Sequence, residues 1–381
     1  MEMKNPFSFG TTVSEDFFTN REQDLKELKT NLLNEINVSI ISPRRWGKSS
    51  LVEKTLQEIK KTTDIKVVSI DMFSVNSENE FYEVFAKECV KSSSNILEDW
   101  LKSGKEFFKN IIPKLSFGID PVSDFSISFD WDDAKKNALE ILNLPEVIAE
   151  KKGVKFIVAI DEFQNIMNFE QAESFEKKLR SVWQKQKNVT YCLYGSKRHM
   201  MSNIFNNSSK PFYKFGNIKF LKKITTEKWE TFIENGFRKT KKEIDNVFVK
   251  NIVIEMQNHS WYVQQFSYFV WVETTKKVTE ETYLKAKQKL VDSNSPFFMN
   301  VCENLSAKQI NLLKAVTKNE EQITSTSVMR KYNLGTSGTV IKNRNALIEK
   351  DVLDSEDGIL SLQDPVFELW FRKMYLGENY F

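Results

Sequence analysis

The run Val38-Ser39-Ile40-Ile41 leads straight into Ser42-Pro43-Arg44-Arg45-Trp46-Gly47-Lys48-Ser49-Ser50, and then into Leu51, Val52, Leu56 and Ile59 at helical spacing. A β-branched apolar run followed by 3.6-residue periodicity predicts a buried strand, a tight loop and an amphipathic helix. Such a loop turns backbone N–H groups inward, and the next helix points its positive end at the same spot, so the segment suits a phosphate. The pattern G-x-x-x-x-G-K-[ST] asks for glycine where Ser42 stands. Serine can serve there if the position does not need positive φ. Pro43, Arg44, Arg45, Trp46, Gly47, Lys48, Ser49 and Ser50 then form the nucleotide cradle, with Lys48 on the β- and γ-phosphates and Ser49 as a ligand of Mg2+.

A second apolar run, Val154–Ile160, ends in Asp161-Glu162. In phosphate-hydrolysing sites the first such carboxylate serves the Mg2+ shell and the second accepts a proton from the attacking water. Asp161 is the expected metal ligand and Glu162 the expected base.

At 381 residues, two or three domains are expected. The formal charge of +3 is small for this length and gives no footprint of a general nucleic-acid binder. Cys89, Cys192 and Cys302 are far apart, with no C-x-x-C pair, which argues against zinc and disulfides and for a reducing, cytoplasmic setting. Met1–Pro6 lacks an apolar signal core and no apolar run is long enough for a bilayer, so a membrane role is not expected. The two histidines, His199 and His259, build no nucleophilic constellation.

The pattern predicts an α/β core: a helix over 21–35, strands at Val38–Ile41, Ile65–Met72, Val154–Ile160, Thr190–Tyr194 and Ile218–Leu221, and helices at Ser49–Lys60, 78–95, 97–112 and Phe175–Lys187. Alternation of Phe125, Ile127 and Phe129 predicts a hairpin inserted at about 115–131. Strands separated by helices imply a mainly parallel sheet, with ligands at its C-terminal edge, where Ser42–Ser50, Asp161-Glu162 and Ser196 all fall. Helical patterns at Glu227–Lys239, Asp245–Gln257, Trp261–Thr274 and Glu280–Asp292 predict a helical domain. A break at Ser293–Pro296 then precedes Leu305–Lys318, Ser325–Tyr332, Thr339–Asp351 and a Val352–Leu362 hairpin, the pattern of a winged helix.

These residues resemble the archaeal-type ATPases of the STAND branch of AAA+ proteins, relatives of origin-recognition ATPases found in archaea and Bacteroides-like bacteria. The resemblance rests on Phe18-Thr19-Asn20-Arg21-Glu22, the Pro43–Ser50 loop, Ile160–Gln164, Gly195-Ser196, His259–Gln264 and Asp364–Phe371. It implies a P-loop core over 1–224, a helical lid over 225–295 and a winged helix over 296–381. It also implies ATP as the nucleotide, a place for Phe18 and Arg21 near the adenine, Ser196 as sensor of the γ-phosphate or the attacking water, and Tyr262 as a nucleotide contact. Arg180 and Arg198 are candidates for an arginine finger.

The expected function is Mg2+-dependent ATP binding with slow hydrolysis, acting as a switch on a protein partner, with a nucleotide-dependent oligomer left open. Two alternatives stand beside it: a DNA-binding regulator, and a nucleotide-binding scaffold without turnover. Residues 299–381 carry ten Lys and Arg against eleven Asp and Glu, and the wing holds Asp354, Glu356 and Asp357, a distribution that DNA phosphates repel. Lys342, Asn343, Arg344 and Asn345 keep the DNA alternative in view. Retention of Glu162 argues against the scaffold.

Overall fold

A computed structural model of the chain describes residues 4–10, 21–93, 114–117, 125–128, 137–356 and 358–378. The chain divides into two compact units, Arg21–Lys222, and Met1–Asn20 together with Lys223–Phe381.

In chain order the strands of the first unit are β1 (Val38–Ile41), β2 (Lys66–Asp71), β3 (Lys114–Phe117), β4 (Phe125–Ser128), β5 (Phe156–Asp161), β6 (Val189–Gly195) and β7 (Asn217–Phe220). Five of them form a parallel sheet in the order β2-β5-β6-β1-β7, while β3 and β4 pair antiparallel with each other, Phe117 opposite Phe125. Every residue of β1 and β6 is buried, as expected of central strands covered by helices on both faces. The edge strand β7 is half exposed.

The helices follow the apolar spacing. Glu22–Leu33 buries Leu28 and Leu32, and Lys48–Thr62 buries Leu51, Val52, Leu56 and Ile59. Ser77 caps Glu78–Lys91 by accepting from the Glu80 N–H at 3.2 Å, which satisfies a first-turn donor with no partner inside the helix. Helices at Ala138–Leu142, Leu144–Lys152 and Arg198–Asn206 were not predicted; the first two are short, too brief for a periodicity to declare itself. The helix expected over 97–112 lies outside the described residues. The core is aromatic: Trp183 stacks on Tyr191 with centroids 4.2 Å apart and is ringed by Phe85, Phe163, Phe212 and Phe215.

The second unit holds helices Thr226–Lys239, Asn246–Glu255, Ser260–Glu273, Glu280–Glu303, Ala307–Thr317, Thr326–Lys331, Ser337–Glu349 and Pro365–Leu376, with a hairpin of β8 (Leu353–Glu356) and β9 (Ile359–Leu362). Here the structure corrects one expectation. The break at Ser293–Pro296 does not occur, because helix Glu280–Glu303 runs through Pro296. Leu290 and Val291 before the proline and Phe298 and Cys302 after it are all buried, and the Trp370 indole N–H donates to Ser295 at 2.8 Å. Packing on both sides offsets the backbone bond that proline cannot donate. The boundary expected at 295/296 therefore falls inside one helix, and apolar residues from both flanks share one core, from Trp229 and Phe266 to Leu347 and Trp370.

The N-terminal residues were expected in the sheet core, yet they are grouped with the helices. Phe7 is 2% exposed, with its ring 5.8 Å from Phe232 and 5.6 Å from Phe237, and Phe9 meets Trp261 and Tyr268. Full burial of Phe7 is worth about 1.5–3 kcal/mol, and half-buried Phe9 adds to it, enough to seat a short segment.

Pro296→Ala should stabilise the chain by about 1–3 kcal/mol, since an interior proline costs about 3 kcal/mol relative to alanine. Chemical denaturation checks this; an unchanged or lower midpoint would show that the helix needs its proline.

Candidate functional site

Register decides which groups meet. Ile41 pairs with Gly195, Ile160 with Leu193 and Asp71 with Asp161, so β1, β6, β5 and β2 end nearly level. Because β6 stands between β1 and β5, the loop after Ile41 and the acids after Ile160 approach across Gly195-Ser196.

The loop has the backbone that an anion cradle requires. Gly47 caps helix Lys48–Thr62 in the left-handed region with φ +88°, and Arg45 also has positive φ, at +66°. Ser42 is not among the positive-φ residues, which is the condition under which serine can replace glycine there. It is fully buried, its hydroxyl donates to the Pro43 carbonyl, and its N–H lies 3.4 Å from the Gly195 carbonyl.

Lys48, 5% exposed, donates to Asp161 Oδ1 at 2.6 Å and reaches Glu162 Oε1 at 3.4 Å, and its Nζ stands 5.0 Å from the Tyr194 ring centre. The Ser49 hydroxyl donates to Asp161 Oδ2 at 2.8 Å. Glu162 sits in the left-handed region with φ +49°, its N–H on Asp161 Oδ1 at 2.7 Å, which turns the chain as soon as the strand ends. Its Oε2 accepts from Ser196 at 2.8 Å and from the Gln164 amide. Burial pushes the Glu162 carboxyl up, but the Lys48 charge and the bonds from Gln164, Ser196 and Lys48 outweigh it and hold the group below the ordinary glutamate range. Glu162 is therefore an ionised acceptor at neutral pH. Glu53 moves the other way, raised by burial and by the Asp161 charge.

The donor set fits Mg2+, a hard cation that prefers oxygen ligands: a hydroxyl and a carboxylate from different segments lie within one hydrogen bond of each other. Lys48, Gly47 and the first-turn amides of helix Lys48–Thr62, which have no acceptor inside the helix, fit phosphate oxygens.

Other expected site residues fall as follows. Pro43 and Trp46 are buried; Arg44 and Arg45 are exposed, with Arg44 Nε 3.5 Å from the Ser196 hydroxyl; Ser50 is half-buried. Arg198 lies 5.6 Å from the Trp46 ring, so it stands at the phosphate loop, whereas half-buried Arg180 lies 4.8 Å over the Phe215 ring, at the margin of the aromatic core. Phe18 lies outside the described residues. Arg21, expected near the adenine, has a guanidinium 5% exposed that bonds the carbonyls of Trp46 and Lys222 and the Asp24 carboxylate. The role expected of Tyr262 is corrected. Its ring is fully buried in the second unit and its hydroxyl hydrogen-bonds Asp364, the cap of helix Pro365–Leu376. In the same motif the Gln264 Oε1 accepts from the Ser8 N–H at 3.2 Å.

The sequence motif gives Gln164 no role of its own, yet it is 1% exposed and orients Glu162. Its place two residues past the acid pair was the available signal. It also explains Gly195, where a Cβ would lie 1.9 Å from Gln164 Oε1 and 2.7 Å from Met201 Sδ. Gly195→Ala should cost about 1–3 kcal/mol, the usual penalty for overpacking, and should reduce turnover by displacing Gln164. A thermal melt beside a phosphate-release assay checks both; wild-type values in each would refute the close packing.

A family model for ATPase domains predominantly from Archaea matches residues 18–252. The chain belongs to this family. A second model, a probable winged helix domain, matches residues 296–373 of this archaeal-type ATPase. Among solved structures it is similar to a Walker-type ATPase of Pyrococcus abyssi, with TM-score 0.68 and 16% identity over 96% of this chain and 99% of the other. It is also similar to the ORC2 protein of Aeropyrum pernix in ADPNP and ADP complexes, with TM-score 0.58 and 12% identity over 98% and 100% of the two chains. No curated protein matches it. These similarities show the fold: a parallel-sheet P-loop ATPase core with a C-terminal winged helix. Among the described residues no helix is long and apolar enough to cross a membrane.

Proposed function

We propose that this archaeal-type ATPase binds Mg-ATP, hydrolyses it slowly, and uses the nucleotide state as a switch acting on a protein partner. The observation that carries the reading is the convergence of Lys48, Ser49, Asp161, Glu162 and Ser196 within hydrogen-bonding distance, from three strand ends. When bound, Mg2+ supplies charge neutralisation on the phosphates, and Ser49 and Asp161 are the residues that would hold it. Lys48 stabilises negative charge on the β- and γ-oxygens. Glu162, kept ionised and aimed by Gln164 and Ser196, takes the proton of the water that attacks the terminal phosphorus. Slow turnover is proposed because Arg180 is engaged over the Phe215 ring and Arg198 over Trp46, and an arginine finger on the phosphates contributes about 10³-fold or more.

A protein partner is favoured over DNA by the surface of the winged helix. Ile341 on helix Ser337–Glu349 is 44% exposed and Ile359 on β9 is 72% exposed. They line a groove of about 800 Å³ with Glu321, Arg344 and Leu360. DNA affinity comes from many cations on phosphates, whereas this face pairs apolar side chains with acids.

Calorimetry with Mg-ATP, and titration of a 30-base-pair duplex in its presence, test the reading in one preparation. Saturable nucleotide binding without a duplex shift is the expected result. Absence of nucleotide binding would end the ATPase-switch reading, and a shift lost in Lys342→Glu with Arg344→Glu would replace the protein partner by DNA.

A further inference from the structure

The chain passes between its two units after Asn20 and again after Lys222, and one side chain is bonded at both places. Arg21, the first residue past the first crossing, donates Nη1 to the Lys222 carbonyl at 2.6 Å and to Asp24 Oδ2 at 3.1 Å, and Nη2 to the Trp46 carbonyl at 3.0 Å. Trp46 immediately precedes Gly47-Lys48 of the phosphate loop. A guanidinium is a rigid planar fork, so two carbonyls held on its two nitrogens keep a fixed separation, as they would not on a flexible ammonium. At 5% exposure the fork has little water to exchange its partners with.

The same carboxylate that steers the fork extends the connection. Asp24 also accepts from Lys219 at 2.9 Å, and Lys219 lies on β7, the strand that runs out to Lys222. On the other side of the loop, Arg198, two residues past Ser196, lies over the Trp46 ring. Trp46 is thus gripped by its backbone from the crossings and approached at its ring from the strand end that carries Ser196.

From these contacts we propose that Arg21 is a positioning residue that couples the phosphate loop to both chain crossings, so that a change in the loop at Trp46 is transmitted to Lys222-Lys223. The proposal rests on the nucleotide-switch reading. The fork requires no contact with nucleotide, and this separates it from the adenine-side role that the resemblance implied.

The test uses the full chain and hydrogen exchange of peptides spanning 219–226, comparing saturating Mg-ADPNP with saturating Mg-ADP. Wild type should show a difference between the two states, and Arg21→Lys and Arg21→Met should reduce it at least about fivefold at full occupancy, the low end of ordinary coupling between sites. Lysine should not rescue, because it keeps the charge and loses the fork. An undiminished difference in either variant would overturn the coupling, as would loss of saturable binding in both, which would make Arg21 a nucleotide contact. A wild-type chain with no difference between the states would sink the switch reading itself, a separate result. If both variants fail to fold, Asp24→Asn repeats the comparison with the guanidinium in place: a several-fold reduction supports the proposal and an unchanged difference refutes it.

Discussion

Lys48→Ala is expected to weaken Mg-ATP binding by at least about 100-fold. Hydrogen bonds to charged groups are worth about 1.5–3 kcal/mol each, and 1.4 kcal/mol is tenfold in affinity, so losing one cation that serves two phosphates suffices. The structure adds a second reason. Lys48 lies between Asp161 Oδ1 and Glu162 Oε1, and truncating it leaves two neighbouring carboxylates without their cation, facing any phosphate that enters. Binding loses an attraction and gains a repulsion. The measurement is isothermal titration of wild type and variant with Mg-ATP, each checked by a cooperative melt. Near wild-type affinity in a folded variant would show that the nucleotide does not use this loop.

Glu162→Gln should do the opposite: bind Mg-ATP within a few-fold of wild type and lose about 10²–10⁴ in turnover, the usual contribution of a positioned general base. The amide keeps the size of the side chain and its oxygen can still accept two hydrogen bonds, while it cannot take a proton from water at neutral pH. The geometry makes the variant informative, because Ser196 and Gln164 both donate to Oε2 and so hold either side chain in the same place. Lys48 keeps Asp161 as partner. A phosphate-release assay under saturating ATP, beside titration of the same preparation, reads both numbers. Unchanged turnover would remove Glu162 from the chemistry; lost binding would make it a ligand-positioning group. Either outcome would leave the Lys48 result standing, so the two variants probe binding and hydrolysis separately.

Much of the site was legible in the chain because it is written in short segments. Val38–Ser50 carries its own strand, turn and helix signals. Gly47 takes the left-handed conformation that the pattern demands, and Ser42 avoids it. Asp161-Glu162 was legible for a similar reason: acids at the end of an apolar strand announce a use. The winged helix is legible from three helical patterns followed by a hairpin, and Gly358 in that hairpin's turn takes φ +83°.

The residues that local sequence did not place have long-range partners. Arg21 has one acceptor three positions on, in Asp24, yet its two carbonyl acceptors stand 25 and 201 positions away. Tyr262 was read from a motif, while its hydroxyl is committed 102 positions on. Pro296 looked like a helix stop, and local propensity favours that reading; burial of Phe298 and Cys302 on the far side outweighed it. Phe7 and Phe9 carry no periodicity at all, and only the aromatic surface they meet explains them.

By itself the sequence determined that a phosphate loop, an acid pair and a winged helix exist here, because backbone conformation and charge over a few consecutive residues suffice to specify each. The tertiary structure alone decided that β6 stands between β1 and β5, that Ser196 and Gln164 aim Glu162, and that Arg21 ties the loop to the chain crossings. A buried polar group must find a partner, but which partner it finds depends on the order of strands in the sheet, and that order is settled by packing among residues far apart in the chain.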